Sequence, residues 1–332
     1  VLDRGYYVNI HTLTNGSGEI RGQLLQEARY YMNATLSGSS EVPAVNTPAF
    51  GQVLMEVESD SIVSTGSFQG LTSAFDPSVA GGAHLHNALA GANGGIFAGL
   101  NANTTDSDFS GSFPVADNTL ETTEEIRNLL RERSLYVNIH TEDNQAGEIR
   151  GQTLPFATAY FTTSLDAFNE VPVANSPAVG GLKLELNGDE LTLTGAFSGL
   201  DGQFDASIGG GAHLHIAPVG QNGGVDIPIN ADVADDLLSG TFAAADNTFT
   251  LTEEQQLNLA SANYYANIHT TAFPGGELRG QILEQINFFP DNAPEIQTPV
   301  SGGTVILEGG ASTPFVASWS AATDDEPLAY VW

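Results

Sequence analysis

Every one of the seven histidines in the chain falls on a repeating pattern. His84 and His86 stand in "GGAHLHNA", and His213 and His215 stand in "GGAHLHIA", 129 positions later. His11, His140 and His269 each close an Asn-Ile-His tripeptide, again at intervals of 129. Side chains on a strand alternate faces, so the two members of a His-x-His pair project the same way, about 6–7 Å apart at Cα. The third histidine follows the first by 56 residues in both copies, which lets a neighbouring strand carry it alongside. Three neutral imidazoles suit Zn or Cu and leave a fourth position for water, carboxylate or substrate. They suit Ca poorly, because Ca takes six or more oxygens.

The spacing therefore points to one Cu or Zn ion per repeat. One set is His84, His86 and His140, and the next is His213, His215 and His269. His11 belongs to an earlier copy. Glu41 or Glu170, and Glu148 or Glu277, stand as fourth-ligand candidates. The competing reading is that these histidines pack or hydrogen-bond within a duplicated domain.

A second constellation runs beside the first. The chain has nine basic residues, and three of them, Arg21, Arg150 and Arg279, occupy the same slot of "GE(I/L)RGQ". A strand there projects Glu148, Arg150 and Gln152 from one face. In so acidic a chain, each arginine is expected to anchor a semi-buried carboxylate, bidentate where geometry allows. Glu41 and Glu170, each in a Glu-Val-Pro tripeptide, are the expected structural partners. There is no cysteine and no Gly-x-Ser-x-Gly, so no catalytic residue is assigned. "ANGG" at 92–95 and "QNGG" at 221–224 read as tight turns rather than phosphate loops, since no helix follows them.

The elements that must position these residues are mostly strands. "GGLKLELNGDELTLTGAFSGL" reads as a hairpin, with Leu182, Leu184 and Leu186 on one face, Lys183 and Glu185 on the other, and "NGDE" as the turn. The exception is "LETTEEIRNLLRERS" and its counterpart "LTEEQQLNLASAN". Both open on Thr and Glu, and both place Leu at helical spacing just before the Asn-Ile-His strand. The expected architecture is all-β: tandem Greek-key β-sandwiches of immunoglobulin or superoxide-dismutase type, each with one short helix before its last hairpin. Full repeats run over 29–157 and 158–286. Residues 1–28 read as the C-terminal part of a preceding repeat. Residues 287–332 read as a linker and the start of an immunoglobulin-like domain.

A net charge of −31, from 40 acidic and nine basic residues, argues against nucleic acid and anionic membrane surfaces. No run of 18 apolar residues is present, so direct membrane insertion of this segment is not expected.

Three motifs together, "ATLSGSSEVP", "AHLHNALAGANGGI" and "YVNIHTEDNQAGEIRGQ", resemble the CHRD domain, a module first noticed in chordin and widespread in bacterial secreted proteins. The resemblance covers 29–157 and 158–286 fully and 1–28 in part. The second copy departs in its first motif, reading "TSLDAFNEVP". The resemblance implies no catalytic reaction. With the serial copies, it leads to the expectation of a non-enzymatic, extracellular or cell-surface spacer, stalk or filament unit, whose partners are neighbouring repeats or copies of itself. The alternatives are a copper or zinc enzyme of superoxide-dismutase type, and a protein- or glycan-binding module using the face of Tyr136, Asn138 and His140.

Overall fold

The structure is a computed structural model that describes residues 4, 6–26, 28–105 and 108–285. These residues divide into two compact units. One holds residue 4 together with the described residues from 25 onward, and the other holds 6–24. The immunoglobulin-like reading of 287–332 falls outside the described residues.

Both full repeats fold alike, and both are all-β. In repeat 1 the antiparallel sheet runs, in spatial order, Gly95–Gly99, Ala83–Asn87, Leu135–Ile139, Ile149–Gln152, Tyr30–Ser37, Phe50–Val57, Ser61–Gln69, Ser110–Phe113 and Asn103–Thr104. Three strands joined by hairpins (Tyr30–Ser37 to Ser61–Gln69) thus receive the last hairpin beside their first member, which is the Greek-key relation. The sheet curls around one apolar cluster that includes Leu36, Val53, Met55, Phe68, Phe113 and Ile126. Repeat 2 has the same strand order and its own cluster.

Local signals account for the elements. The hairpin Val179–Asn187 and Glu190–Ser198 keeps one register from Val179↔Ser198 to Asn187↔Glu190. That leaves Gly188 and Asp189 as a two-residue turn, with Gly188 at φ +61, where glycine carries no Cβ penalty. The helices are Glu124–Arg131 and Glu253–Ala260. Thr123 caps the first by accepting from Ile126 N. Thr252 caps the second in a reciprocal box with Gln255. Ile126, Leu130 and Leu259 pin the helices to the cores.

The unit of 6–24 is a single hairpin, Tyr7–Ile10 with Ile20–Gln23, paired Tyr7↔Gln23. Tyr136↔Gln152 and Tyr265↔Gln281 are the same pairing 129 and 258 residues on.

Within the larger unit the two repeats touch. Lys183 and Glu185 face away from their own core, as strand alternation requires, yet both are buried, because repeat 1 covers them. Arg133 donates from Nε and Nη2 to the two Glu185 carboxylate oxygens at 3.0 and 2.9 Å. Lys183 Nζ donates to Ser40 Oγ at 3.2 Å. Burial pushes Lys183 down to about 7 and Glu185 above the usual carboxylate range.

Thr252→Ala removes one side-chain acceptor from a helix start and leaves the core intact. It is expected to lower stability by about 1 kcal/mol, seen as a lower denaturant midpoint at unchanged m-value.

Candidate metal centre

Strand alternation divides the His-x-His strand cleanly. Ala83 and Leu85 enter the core, and so do Val137 and Ile139 of the Asn-Ile-His strand. The polar face between those strands holds His84, His86, Tyr136 and Asn138, in the register Asn138↔His84 and Tyr136↔His86. His140 follows just past the strand end. All three imidazoles are buried, with the loops lying over them rather than the apolar core. The structure brings His84, His86 and His140 together, and likewise His213, His215 and His269, with one ligand nitrogen from each lying within 4.8 Å of the others in its set. His11 is in neither group. Its ring keeps a hydrogen bond to Gly16 O at 3.0 Å.

Each ring is aimed by the nitrogen that does not face its fellows. His86 Nδ1 donates to Gly94 O, and His140 Nδ1 to Gln145 O, both at 3.0 Å. His215 to Gly223 O and His269 to Pro274 O repeat this at 3.0 Å. His84 Nε2 donates to Ala80 O at 2.8 Å, whereas His213 is turned over and uses Nδ1 toward Gly209 O at 3.2 Å. The remaining nitrogens, His84 Nδ1 with Nε2 of His86, His140, His215 and His269, are shielded from solvent and have no hydrogen-bond partner.

Desolvation holds His86, His215 and His269 below the ordinary histidine range, and carries His140 and His213 down to about 4. These rings are therefore neutral near pH 7, and a neutral ring whose N–H is committed to a carbonyl presents its lone pair from the other nitrogen. This donor set suits a tetrahedral or trigonal N₃ ion. Ligand nitrogens within 4.8 Å of one another are close enough that His84, His86 and His140, or His213, His215 and His269, could hold such an ion.

Behind the histidines stands a three-layer stack. The Tyr136 ring lies 5.0 Å from His86 with 11° between planes, and the Arg150 guanidinium sits 3.5 Å from its other face. His215, Tyr265 and Arg279 reproduce it at 4.8 Å, 1° and 3.5 Å. Arg21 sits 3.6 Å over Tyr7 in the 6–24 hairpin. The expected carboxylate anchor for Arg150 and Arg279 is not what the fold uses. Among the described residues neither makes an ion pair. Arg150 donates to Leu89 O at 3.0 Å and Asn93 Oδ1 at 3.3 Å, and Arg279 donates to Gln221 O and to Asn222 Oδ1 at 2.8 Å. A guanidinium offers five donors in a plane, so loop carbonyls and an aromatic face can take the place of a carboxylate.

Glu41 and Glu170 lie nearby without bonding the arginines. Burial pushes Glu41 up to about 8 and Glu170 up to about 7, against the opposing field of Arg150 or Arg279. Glu41 Oε1 and Asn138 Oδ1 are both buried acceptors with no donor. Both crowd Gly147, where a Cβ would sit 2.5 and 2.4 Å from them. Glu170, Asn267 and Gly276 repeat the arrangement. A protonated carboxyl supplies a donor where two acceptors meet.

Glu148 and Glu277 are not placed as ligands, because hydroxyls hold them. Thr47, Thr72 and Thr141 donate to Glu148 at 2.7, 2.9 and 2.8 Å, and Ser176 and Thr270 donate to Glu277 at 2.6 and 2.7 Å. Spacing alone missed Asp76 and Asp205. The Ser78 hydroxyl and N–H hold the Asp76 carboxyl below its ordinary range, and the field of His140 adds to this. The signal was present in "AFDPSVAGGAHLH" and "QFDASIGGGAHLH", where both aspartates recur at the same interval.

The family model of the CHRD domain matches residues 32–153 and 161–282. The chain belongs to the CHRD family. Each CHRD match spans one curled sheet and all three histidines of that repeat. Among curated proteins, none matches the chain.

Two outcomes test this geometry. Gly147→Ala adds a Cβ at φ +132, onto Glu41 and Asn138. It should cost at least about 2 kcal/mol, read from chemical denaturation. Glu41→Gln tests the buried acid. A carboxyl whose folded value is raised from 4.5 to about 8 favours the fold fully below pH 4.5, and that stability is lost as pH rises through 8. The lowered histidines act oppositely, losing stability as pH falls from 6.5 toward 4, but they are common to both proteins. The difference in Tm between the Glu41→Gln variant and its parent should therefore grow in the variant's favour from pH 4.5 to 8. A flat difference would contradict the buried neutral acid.

Proposed function

We propose that this chain is a structural repeat segment of an extracellular or cell-surface protein, a spacer, stalk or filament unit, in which each CHRD repeat holds one Zn or Cu ion on three histidines. The observation that carries the metal part is the set of shielded, partnerless imidazole nitrogens, three in repeat 1 and two in repeat 2, within histidine triads that recur in both domains. Buried acceptors normally have a donor, and an ion satisfies three at once. When bound, the ion crosslinks the His-x-His strand to the last hairpin. The chain's own residues supply the rest: backbone carbonyls fix each ring, and the Tyr136 and Tyr265 stacks hold His86 and His215 in plane.

The enclosure of those nitrogens supports a structural ion over a catalytic one, since turnover requires an open coordination position. Tyr136, Asn138 and His140 are all buried, which weighs against their shared face as a surface for protein or glycan. The acidic surface and serial copies support a solvated, extended role. No described helix is long and apolar enough to cross a membrane.

Metal content by mass spectrometry, on protein purified without chelator or histidine tag, tests the reading. Two Zn or Cu ions per chain are expected, falling to one when His84, His86 and His140 are all changed to Ala. Saturating metal at 100 times Kd should add about 2.7 kcal/mol to the stability of each site, and EDTA should remove it. Absence of transition metal together with a Tm indifferent to EDTA would overturn the site.

A further inference from the structure

The two histidine sites use the same three positions; they differ in the flip of one ring, His84 against His213, and in the loop after the His-x-His strand. In repeat 1 this loop, 88–94, is tied on its inner side. Gly94 O takes the His86 N–H, Arg150 donates to Leu89 O and Asn93 Oδ1, and Gln152 Nε2 donates to Ala88 O at 2.7 Å. Its tip, Gly91, at φ +85, is seated on repeat 2. A Cβ there would lie 2.2 Å from Gly181 N and 2.5 Å from Ala196 O. Gln152 Nε2 also donates to Arg133 O at 2.6 Å, and Arg133 is the residue that grips Glu185. The loop that aims His86 and the arginine at the junction thus hang from one amide.

Repeat 2 keeps the inner ties and, among the described residues, shows no outer ones. Gln281 Nε2 donates to Ala217 O at 3.0 Å and Ala262 O at 2.6 Å. The loop tip Gly220, however, has no atom of the described residues within 4 Å of its Cβ position. Ala262 stands in the slot of Arg133, with the same left-handed backbone (φ +54 against +57) but no side chain to reach outward. The arginine–glutamate lock also occurs 129 positions earlier, where Arg4 Nε donates to Glu56 at 2.9 Å.

We propose that ion binding at His84, His86 and His140 is coupled to the docking of repeat 2 on repeat 1, while ion binding at His213, His215 and His269 is not. The proposal rests on the three-histidine reading above. The surface concerned is formed by loop 88–94 and Arg133, and its partner is a second copy of the repeat. An ion that shifted His86 would carry the Gly94 carbonyl and its loop with it, through the hydrogen bond that joins them. A backbone packed on the Gly181 backbone has little slack to absorb that movement. Docking therefore preorganises the first site, and the ion in turn stiffens the junction, because coupling between two binding events is reciprocal.

Zinc titration by calorimetry tests this in two full-length chains. One keeps only the first site, with His213, His215 and His269 changed to Ala. The other keeps only the second, with His84, His86 and His140 changed to Ala. Each is measured with and without the pair Arg133→Gln and Glu185→Gln, which removes both charges together and so leaves no buried charge unpaired. The pair should weaken zinc at the first site by about fivefold or more and leave the second unchanged. Equal effects on both sites, or none on the first, overturn the coupling while one-to-one zinc uptake keeps the site reading intact. No uptake by either chain overturns both.

A second measurement needs no junction variant. Fluorescence transfer between labels on the two repeats should narrow in distance distribution on adding zinc to the first-site chain, and not to the second-site chain. An unchanged distribution in the first-site chain overturns the proposal.

Discussion

A neutral imidazole has one donor and one acceptor nitrogen, and committing the donor to a backbone carbonyl decides where the acceptor points. Each of the six histidines in the two triads makes such a commitment. The carbonyls come from three short loops per repeat, so the site depends on those loops holding their shape. Arg150 and Arg279 do much of that holding, reaching into the loop after the His-x-His strand with guanidinium donors while their planes rest on Tyr136 and Tyr265. The tyrosines then face the histidines. One chain of contacts, from buried guanidinium to phenol to imidazole, sets the angle of one histidine ring in each repeat.

That arrangement places a buried guanidinium in a dry environment with no carboxylate bonded to it, and the acids nearby are shifted as well. Glu41 and Glu170 are pushed toward neutrality by the same burial that holds His140 and His213 neutral. A mostly acidic protein has thus assembled, under each last hairpin, a pocket of groups that favour being uncharged. A soft or borderline cation that prefers nitrogen donors suits such a pocket better than a hard one that wants several ionised oxygens.

Duplication makes the sites alike, and position in the array makes them different. Lys183 and Glu185 are buried and bonded across the junction, to Ser40 and Arg133, and Gly91 is confined by Gly181 opposite. Among the described residues nothing stands opposite Gly220, the same loop tip in repeat 2. The inequivalence also has a sequence component, since Ala262 stands where repeat 1 has Arg133.

The tandem repeat, the alternation of faces, the Gly188 turn, both helices and the grouping of six histidines into two triads were legible in the sequence, because each rests on local spacing or on exact recurrence at 129 residues. His-x-His dictates two rings on one face whatever surrounds it. What the sequence could not decide was partnership. Arg150 recurs in a fixed slot, but whether it meets Glu41 or a tyrosine face depends on which strands adjoin, and the register Tyr136↔His86 settled that. Glu148 recurs as regularly as the histidines, yet three hydroxyls from distant segments claim it. The enclosure of the nitrogens and the burial of Lys183 come from loops and from a neighbouring domain, contacts across long sequence separations that no local pattern encodes. Local chemistry determined which residues are available to bind, and only tertiary packing decided which of them are left without a partner.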